Sequence, residues 1–183
     1  MQIRQCSRCR LLSVLVRLTI ATWLTTLPVQ ATDMNFYGSL VAEPCSLQLG
    51  DEAITLEFGT IIDKYLYLNG RTNSKPITLH LLECDTNLGM LVNMRFTGTE
   101  STVLPGFLAF DMSSQAKGAG IGFETQGGVA VPLGTNSPAF KLEEGSNVIT
   151  LNAYVKGEPD ALAQHSLVHG SFSAIATFNL EYE

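Results

Sequence analysis

The chain has 183 residues, 45% of them hydrophobic, with 17 acidic against 11 basic side chains and a formal charge of −6. That length fits a single domain. So acidic a chain excludes nucleic acid as a partner, because phosphate binding needs clustered positive charge.

Residues 1–31 are expected to be a secretory signal peptide, cleaved after Ala31. Arg4, Arg8 and Arg10 make a basic start, Leu18 to Leu27 are apolar apart from threonines, and Val29-Gln30-Ala31 offers small side chains near a cleavage point. Arg17 divides the apolar run and leaves it too short to span a bilayer. Cys6 and Cys9 lie in the basic region, with no small-residue lipoprotein signature before either, and leave with the signal. What remains carries seven basic and 17 acidic residues, a formal charge of −10. Its acids are spread along the sequence, as on a solvated surface.

The first segment of the mature chain, Thr32 to Leu40, alternates, with Met34, Phe36, Gly38 and Leu40 on one face. Such a segment is either an ordinary first strand or a strand offered to another molecule. Further short β-rich runs follow, separated by Gly, Asn, Pro and Asp: Phe36 to Ala42, Ala53 to Phe58, Ile77 to Cys84, Leu91 to Thr97, Phe107 to Asp111, Gly120 to Glu124, Gly128 to Val131 and Asn147 to Val155. Ser137 to Ser146 and Glu158 to Gln164 could each hold a turn of helix. The last run is the longest: Phe172, Ala174, Ala176, Phe178, Leu180 and Tyr182 share one face of a half-buried strand. No helical period of useful length and no βαβ alternation appears, so the pattern predicts an all-β fold, an antiparallel sandwich.

Two cysteines survive processing, Cys45 and Cys84, and an even pair in an exported chain reads as a disulfide. Closing that loop would stabilise the fold by about 4 kcal/mol in the chain-entropy model. A metal would need two or more further ligands, and no CxxC or HxxxC spacing lies nearby.

Candidate chemistry is sparse. His165 and His169 have the i,i+4 spacing of a helical metal pair, but Gly170 and the strand after it favour a loop, and a third ligand is missing. His80 alternates with Thr78 and Leu82 inside a strand. Gly170-Ser171-Phe172-Ser173-Ala174 nearly matches GxSxG but lies in a strand, where no nucleophile elbow can form. Gly118, Gly120 and Gly122 lack the helix and Lys-Ser/Thr of a phosphate cradle and are expected to be turn glycines. The sequence offers no catalytic, cofactor or metal site and no small-molecule substrate, and is expected not to be an enzyme.

A set of motifs in order carries a resemblance that spans the mature chain. Gly170 opens the last fourteen residues and Tyr182 is penultimate. Pro44-Cys45 precedes Leu82-Glu83-Cys84, then Phe96 to Glu100 leads into Leu104-Pro105-Gly106, followed by Ala153 to Val155, Glu158 to Leu162 and Ala176 to Leu180. Together they resemble pilins of the chaperone–usher class, above all the tip adaptor subunits of P pili. The resemblance implies an incomplete immunoglobulin-like β-sandwich lacking its last strand. Residues 1–31 would be the signal peptide, 32–40 a donor-strand extension and 41–183 the pilin domain.

It further implies that a periplasmic chaperone lends a strand beside Gly170, Phe172, Ala174, Ala176, Phe178, Leu180 and Tyr182 and anchors the carboxylate of Glu183. At the outer-membrane usher the extension of the next subunit replaces that strand. Met34, Phe36 and Leu40 would insert into a neighbour's groove, with Gly38 where only glycine fits. The groove of this chain would be flanked by the Phe172–Tyr182 strand and the first strand. The implied function is a minor pilin joining neighbouring subunits in a fimbria on the bacterial surface and supporting adhesion. A pilus terminator, a major rod subunit, or a carbohydrate-binding adhesin are the alternatives.

Overall fold

A computed structural model describes residues 33–40 and 42–183. The expected signal peptide lies outside the described residues. The chain divides after Leu40 into two units, taken separately. Residues 33–40 have no regular secondary structure, and Met34, Phe36, Tyr37 and Leu40 are exposed. The strand expected over Phe36 to Ala42 is therefore not formed, because no described segment supplies its backbone with a ladder partner.

The second unit is a sandwich of two antiparallel sheets. Its strands are β1 (Ser46–Leu47), β2 (Lys75–Cys84), β3 (Leu91–Gly98), β4 (Leu108–Ala109), β5 (Ala119–Thr125), β6 (Phe140–Lys141), β7 (Gly145–Gly157) and β8 (Ala176–Tyr182). One sheet has the order β1-β2-β7-β5-β4 and the other β6-β3-β8. Two short helices, α1 (Asp63–Asn69) and α2 (Pro159–Ala163), complete the fold. The expected sandwich is the one formed.

Alternation places the core. Ile77, Leu79 and Leu81 on β2 and Ile149, Leu151, Ala153 and Val155 on β7 are buried, and they meet Val92, Met94 and Phe96 of β3 across the sandwich. The Phe96 and Phe123 rings stack at 4.0 Å between the sheets. The β2–β7 register slips between Leu81 and Cys84, where Glu83 takes a positive φ of 54°. Such a bulge bends the strand end, and beyond it Cys84 is bonded to Cys45 as expected.

Departures from the sequence pattern have local causes. Ser137 to Ser146 is not helical, because its backbone is taken by β3 and its flank: Ser137 N donates to Met94 O at 2.8 Å and Leu142 N to Met90 O at 2.9 Å. Gly128 to Val131 is a loop closed back onto β5 by Thr125 N to Val129 O and Val131 N to Phe123 O. The expected turn of helix at Glu158 to Gln164 exists as α2. α1 left little trace in the sequence, being seven residues long with no side-chain cap, and its one cue is the left-handed Gly70 at its end.

Gly120 and Gly122 lie inside β5 and are not turn glycines. A Cβ on Gly122 would sit 2.5 Å from the Phe107 ring and 2.7 Å from that of Tyr154. The bare backbone is what lets both rings lie on the outer face of the sheet.

Beside them, Arg71 makes a bidentate contact with the buried Glu124 at 2.7 and 2.8 Å, and its guanidinium lies 3.4 Å over the Tyr154 ring. The Ser74 hydroxyl also donates to Glu124. The hydrogen bonds from Arg71, chiefly, and from Ser74 hold the Glu124 carboxyl below the usual carboxylate range, although burial opposes them.

Removing Arg71 leaves a buried carboxylate unpaired. Arg71→Met is expected to cost about 2–3 kcal/mol, below the full penalty for a buried pair because Arg71 keeps one edge in solvent. The urea midpoint of the dilute mature chain, followed by circular dichroism, should fall by about 1–2 M. A depressed carboxyl stabilises above its unfolded pKa, near 4.3, and loses that contribution as pH falls through its folded value. The gap between wild type and variant should therefore narrow on acidification below about pH 4.

Candidate functional site

The free edge of β8 follows from the register of its paired edge. Glu183 N donates to Leu91 O at 2.9 Å and Leu91 N to Glu183 O at 3.1 Å, a reciprocal pair. In an antiparallel ladder such pairs recur every second residue. The odd residues Glu181, Asn179 and Thr177 therefore bond to Asn93, Arg95 and Thr97 of β3, which they face. The N–H and C=O groups of Ala176, Phe178, Leu180 and Tyr182 point the other way, and β8 has no second neighbour in its sheet.

The pattern continues upstream of β8. Ser171 O accepts from the backbone N–H groups of Gln115 and Ala116, and Ser173 O from that of Asp111. Ser173 N donates to Ser114 Oγ at 3.0 Å. Again the odd residues are satisfied by the sandwich and the even ones, Phe172 and Ala174, are not. Their side chains pack on the core while their backbone faces outward along the edge.

That edge borders an open groove of about 870 Å³. Residues 170–176 form one wall and residues 54–61 the other, with Phe110, Ala119, Ile121 and Val155 in the floor. Phe172 stacks on Phe110 at 4.4 Å and lies 6.1 Å from Phe58, so aromatic rings span the groove. The second wall is the run Ala53 to Phe58, and not the first strand as the resemblance implied. It alternates, with Leu56 and Phe58 half-buried and Thr55 and Glu57 exposed. Among the described residues, no backbone–backbone hydrogen bond reaches residues 53–61. The groove thus lies between the free edge of residues 170–176 and a run that, among the described residues, has no backbone ladder partner.

Of the residues singled out from the sequence, Phe172, Ala174 and Ala176 line this groove. Phe178, Leu180 and Tyr182 continue the same face along β8, half-buried against the core. Burial pushes the Tyr182 phenol up from its ordinary range, with Glu43 adding to it. Met34, Phe36, Gly38 and Leu40 belong to the separate exposed segment. The wall at residues 54–61 carried a strand pattern in the sequence, and nothing there marked it as unpaired.

At one end of the groove His169 Nε2 lies 3.2 Å from Asp63 Oδ2 and links the two walls. The Asp63 carboxyl is held below its usual range, first by the Lys64 backbone N–H and then by His169. Both groups face solvent, so the pair contributes little to stability. His165 stacks on Tyr67 at 4.4 Å, and Ser173 Oγ donates to Asp111 at 2.9 Å. Among the described residues no group of three or more His, Cys, Asp and Glu side chains could hold a metal ion.

The profile of the family described as "Fimbrial protein" matches residues 34–183. The chain is 36% identical to the major MR/P fimbria protein of Proteus mirabilis, over 82% of this chain and 83% of that one. It is 29% identical to the fimbrial adapter PapK of Escherichia coli, over 83% and 88%. A solved chain from a chaperone–usher pilus superposes with a TM-score of 0.66 at 26% identity, covering 86% of this chain and 99% of that one. The two antiparallel sheets are thus the immunoglobulin-like sandwich of these pilins.

Gly170 sets where the first wall begins. Its φ is +147°, and a Cβ there would fall 2.4 Å from Gln115 Cβ. Gly170→Ala is expected to push residues 170–174 off the Asp111–Ala116 loop and to cost roughly 3 kcal/mol from strain and overlap. The urea midpoint should fall accordingly. Combining it with Gln115→Gly, which removes the clash and leaves the φ strain, should recover part of the loss.

Proposed function

This chain belongs to the fimbrial protein family, a pilin of the chaperone–usher type, and from that premise we propose that it is a minor subunit, a tip adaptor that polymerises by strand exchange. The observation that carries the proposal is the groove between residues 54–61 and 170–176, with unpaired backbone on both sides and an apolar floor. An exposed edge of this kind is a template for another chain.

A strand laid in the gap meets the backbone of Phe172, Ala174 and Ala176 on one side and of Leu56 and Phe58 on the other. Its alternate side chains enter the floor. The segment 32–40 has the complementary form: exposed, and apolar at Met34, Phe36 and Leu40. Burying three such side chains contributes on the order of 6 kcal/mol before any ladder bond is counted. Gly38 sits at the position that must pass the narrowest part of a neighbour's groove. Dissociation requires unzipping the whole ladder, so slow release is the functional property. Catalysis has no part in it.

In this proposal a periplasmic chaperone first fills the groove, beside Gly170 to Glu183. The outer-membrane usher then exchanges that strand for the extension of the next subunit, and the product reaches the cell surface as part of a fimbria that supports adhesion. The short extension and the likeness to PapK favour an adaptor. The likeness to the major fimbria protein of Proteus mirabilis favours a second reading, a rod subunit. A terminator would need a blocked groove, and here the groove is open.

Immunogold labelling of intact fimbriae separates the first two. One or a few particles near the tip are expected, whereas label along the shaft would establish the rod reading. For the exchange itself, ten-residue alternating peptides should protect the amides of Phe172, Ala174, Leu56 and Phe58 from hydrogen exchange. Without peptide the mature chain should self-associate as its concentration rises, and bound peptide should suppress this.

A further inference from the structure

The second wall of the groove is a suspended span. Upstream it is anchored at Asp51, whose carboxylate accepts from His80 N at 2.6 Å and lies 2.9 Å from His80 Nδ1. Downstream it is anchored by α1, where Leu66 is buried. Between these points the apolar contacts of Leu56, Phe58 and Ile61 hold the span down on the core. Apolar burial is non-directional, so it sets the depth of the span and not its distance from the opposite wall.

One polar contact sets that distance. Lys75 Nζ, from the first residue of β2, donates to the main-chain carbonyl of Glu57 at 2.6 Å, at mid-span. Among the described residues it is the only hydrogen bond, from backbone or side chain, made to residues 53–61 by a group outside them. The direction of the tie follows from alternation and from the antiparallel run of the two walls, in which Phe58 lies beside Phe172 and Asp63 beside His169. Leu56 and Phe58 turn their side chains to the core, as Phe172 and Ala174 do on the opposite wall. Their backbone groups and that of Glu57 therefore point to opposite edges of the span. The carbonyl bonded to Lys75 lies on the edge away from the gap, and the edge toward the gap stays free.

We infer that Lys75 is a positioning residue for strand uptake, holding the 53–61 wall one strand's width from residues 170–176. The inference rests on the strand-acceptor reading above. Without the ammonium the span is free to drift across the aromatic floor toward Phe172, where its own unpaired backbone competes with the incoming strand. The tie thus keeps the groove receptive while it is empty. Because the acceptor is a main-chain carbonyl, the function requires a long cationic donor at position 75 and does not depend on the Glu57 carboxylate.

The test uses the full mature chain at low micromolar concentration and fluorescent ten-residue alternating peptides, residues 32–41 of this chain among them. Uptake is read by anisotropy, and stability by the urea midpoint. Lys75→Met keeps most of the aliphatic stem and removes the donor. It is expected to slow uptake and weaken binding by about 5- to 10-fold, the scale of one partly exposed charged hydrogen bond. Its urea midpoint should stay within about 0.5 M of the wild-type value, because the bond is exposed and water replaces the lost donor.

Lys75→Arg should retain wild-type uptake. Lys141→Met, which removes the same charge at β6, should also leave it unchanged. Equal uptake by wild type and Lys75→Met overturns the role of Lys75 while leaving the acceptor reading intact. A Lys75→Met defect that Lys75→Arg does not rescue, or that tracks a fallen urea midpoint, also overturns it. No uptake of any peptide by wild type overturns the acceptor reading itself.

Discussion

An antiparallel ladder can satisfy only alternate residues of a strand from each side, and this molecule satisfies one side of its last strand. The reciprocal bonds between Glu183 and Leu91 fix the phase. Once they are set, the odd residues of the last strand belong to the fold and the even ones are left over. The same phase extends upstream, where the Asp111–Ala116 loop takes the backbone of Ser171 and Ser173 in place of β3. Gly170 permits that handover, because the chain passes so near Gln115 that no side chain fits. Core packing and the open edge therefore arise together: each residue that buries its side chain turns its backbone outward.

An open edge over an apolar floor invites collapse, and the fold resists collapse by making the two walls unlike. The 170–176 wall is bonded along its length to the sandwich and cannot move without breaking that ladder. Among the described residues the 53–61 wall makes no backbone–backbone hydrogen bond and is held by two ends, three side chains and the Lys75 ammonium on the Glu57 carbonyl. In the proposed strand exchange the rigid wall would present a fixed register and the suspended wall would adjust to the strand that enters. Stability is concentrated away from the groove. The stacked Phe96 and Phe123, the disulfide and the Arg71–Glu124–Tyr154 cluster brace the sheets and lie outside the groove walls.

The sandwich was legible in the sequence because its strands write their burial as alternation: Ile77 to Leu81, Val92 to Phe96 and Phe172 to Tyr182 each show it. The disulfide was legible from cysteine parity in an exported chain. α1 was not, since seven residues with no cap and mixed polarity give neither a period nor a start signal. Gly120 and Gly122 misled for a related reason. Glycine in a strand looks like a turn unless the ring that fills its missing side chain, here Phe107 from a distant loop, is known.

The groove shows most clearly what a sequence pattern omits. Alternation at Leu56 and Phe58 states that one face is buried, and the same holds for Phe172 and Ala174. It does not state whether the backbone edges beside those side chains are paired, because pairing depends on which strand lies alongside and not on the residues themselves. Three segments here carry strand patterning with a free edge: residues 34–40, 53–58 and 172–182. Only the fold separates them. The first has neither its apolar face nor its edges covered, the second has its face covered and its edges free, and the third has its face and one edge covered. Under the proposed strand exchange they would be, in that order, the donor, the adjustable wall and the fixed wall of one joint, closed by a strand of the first kind laid between the other two.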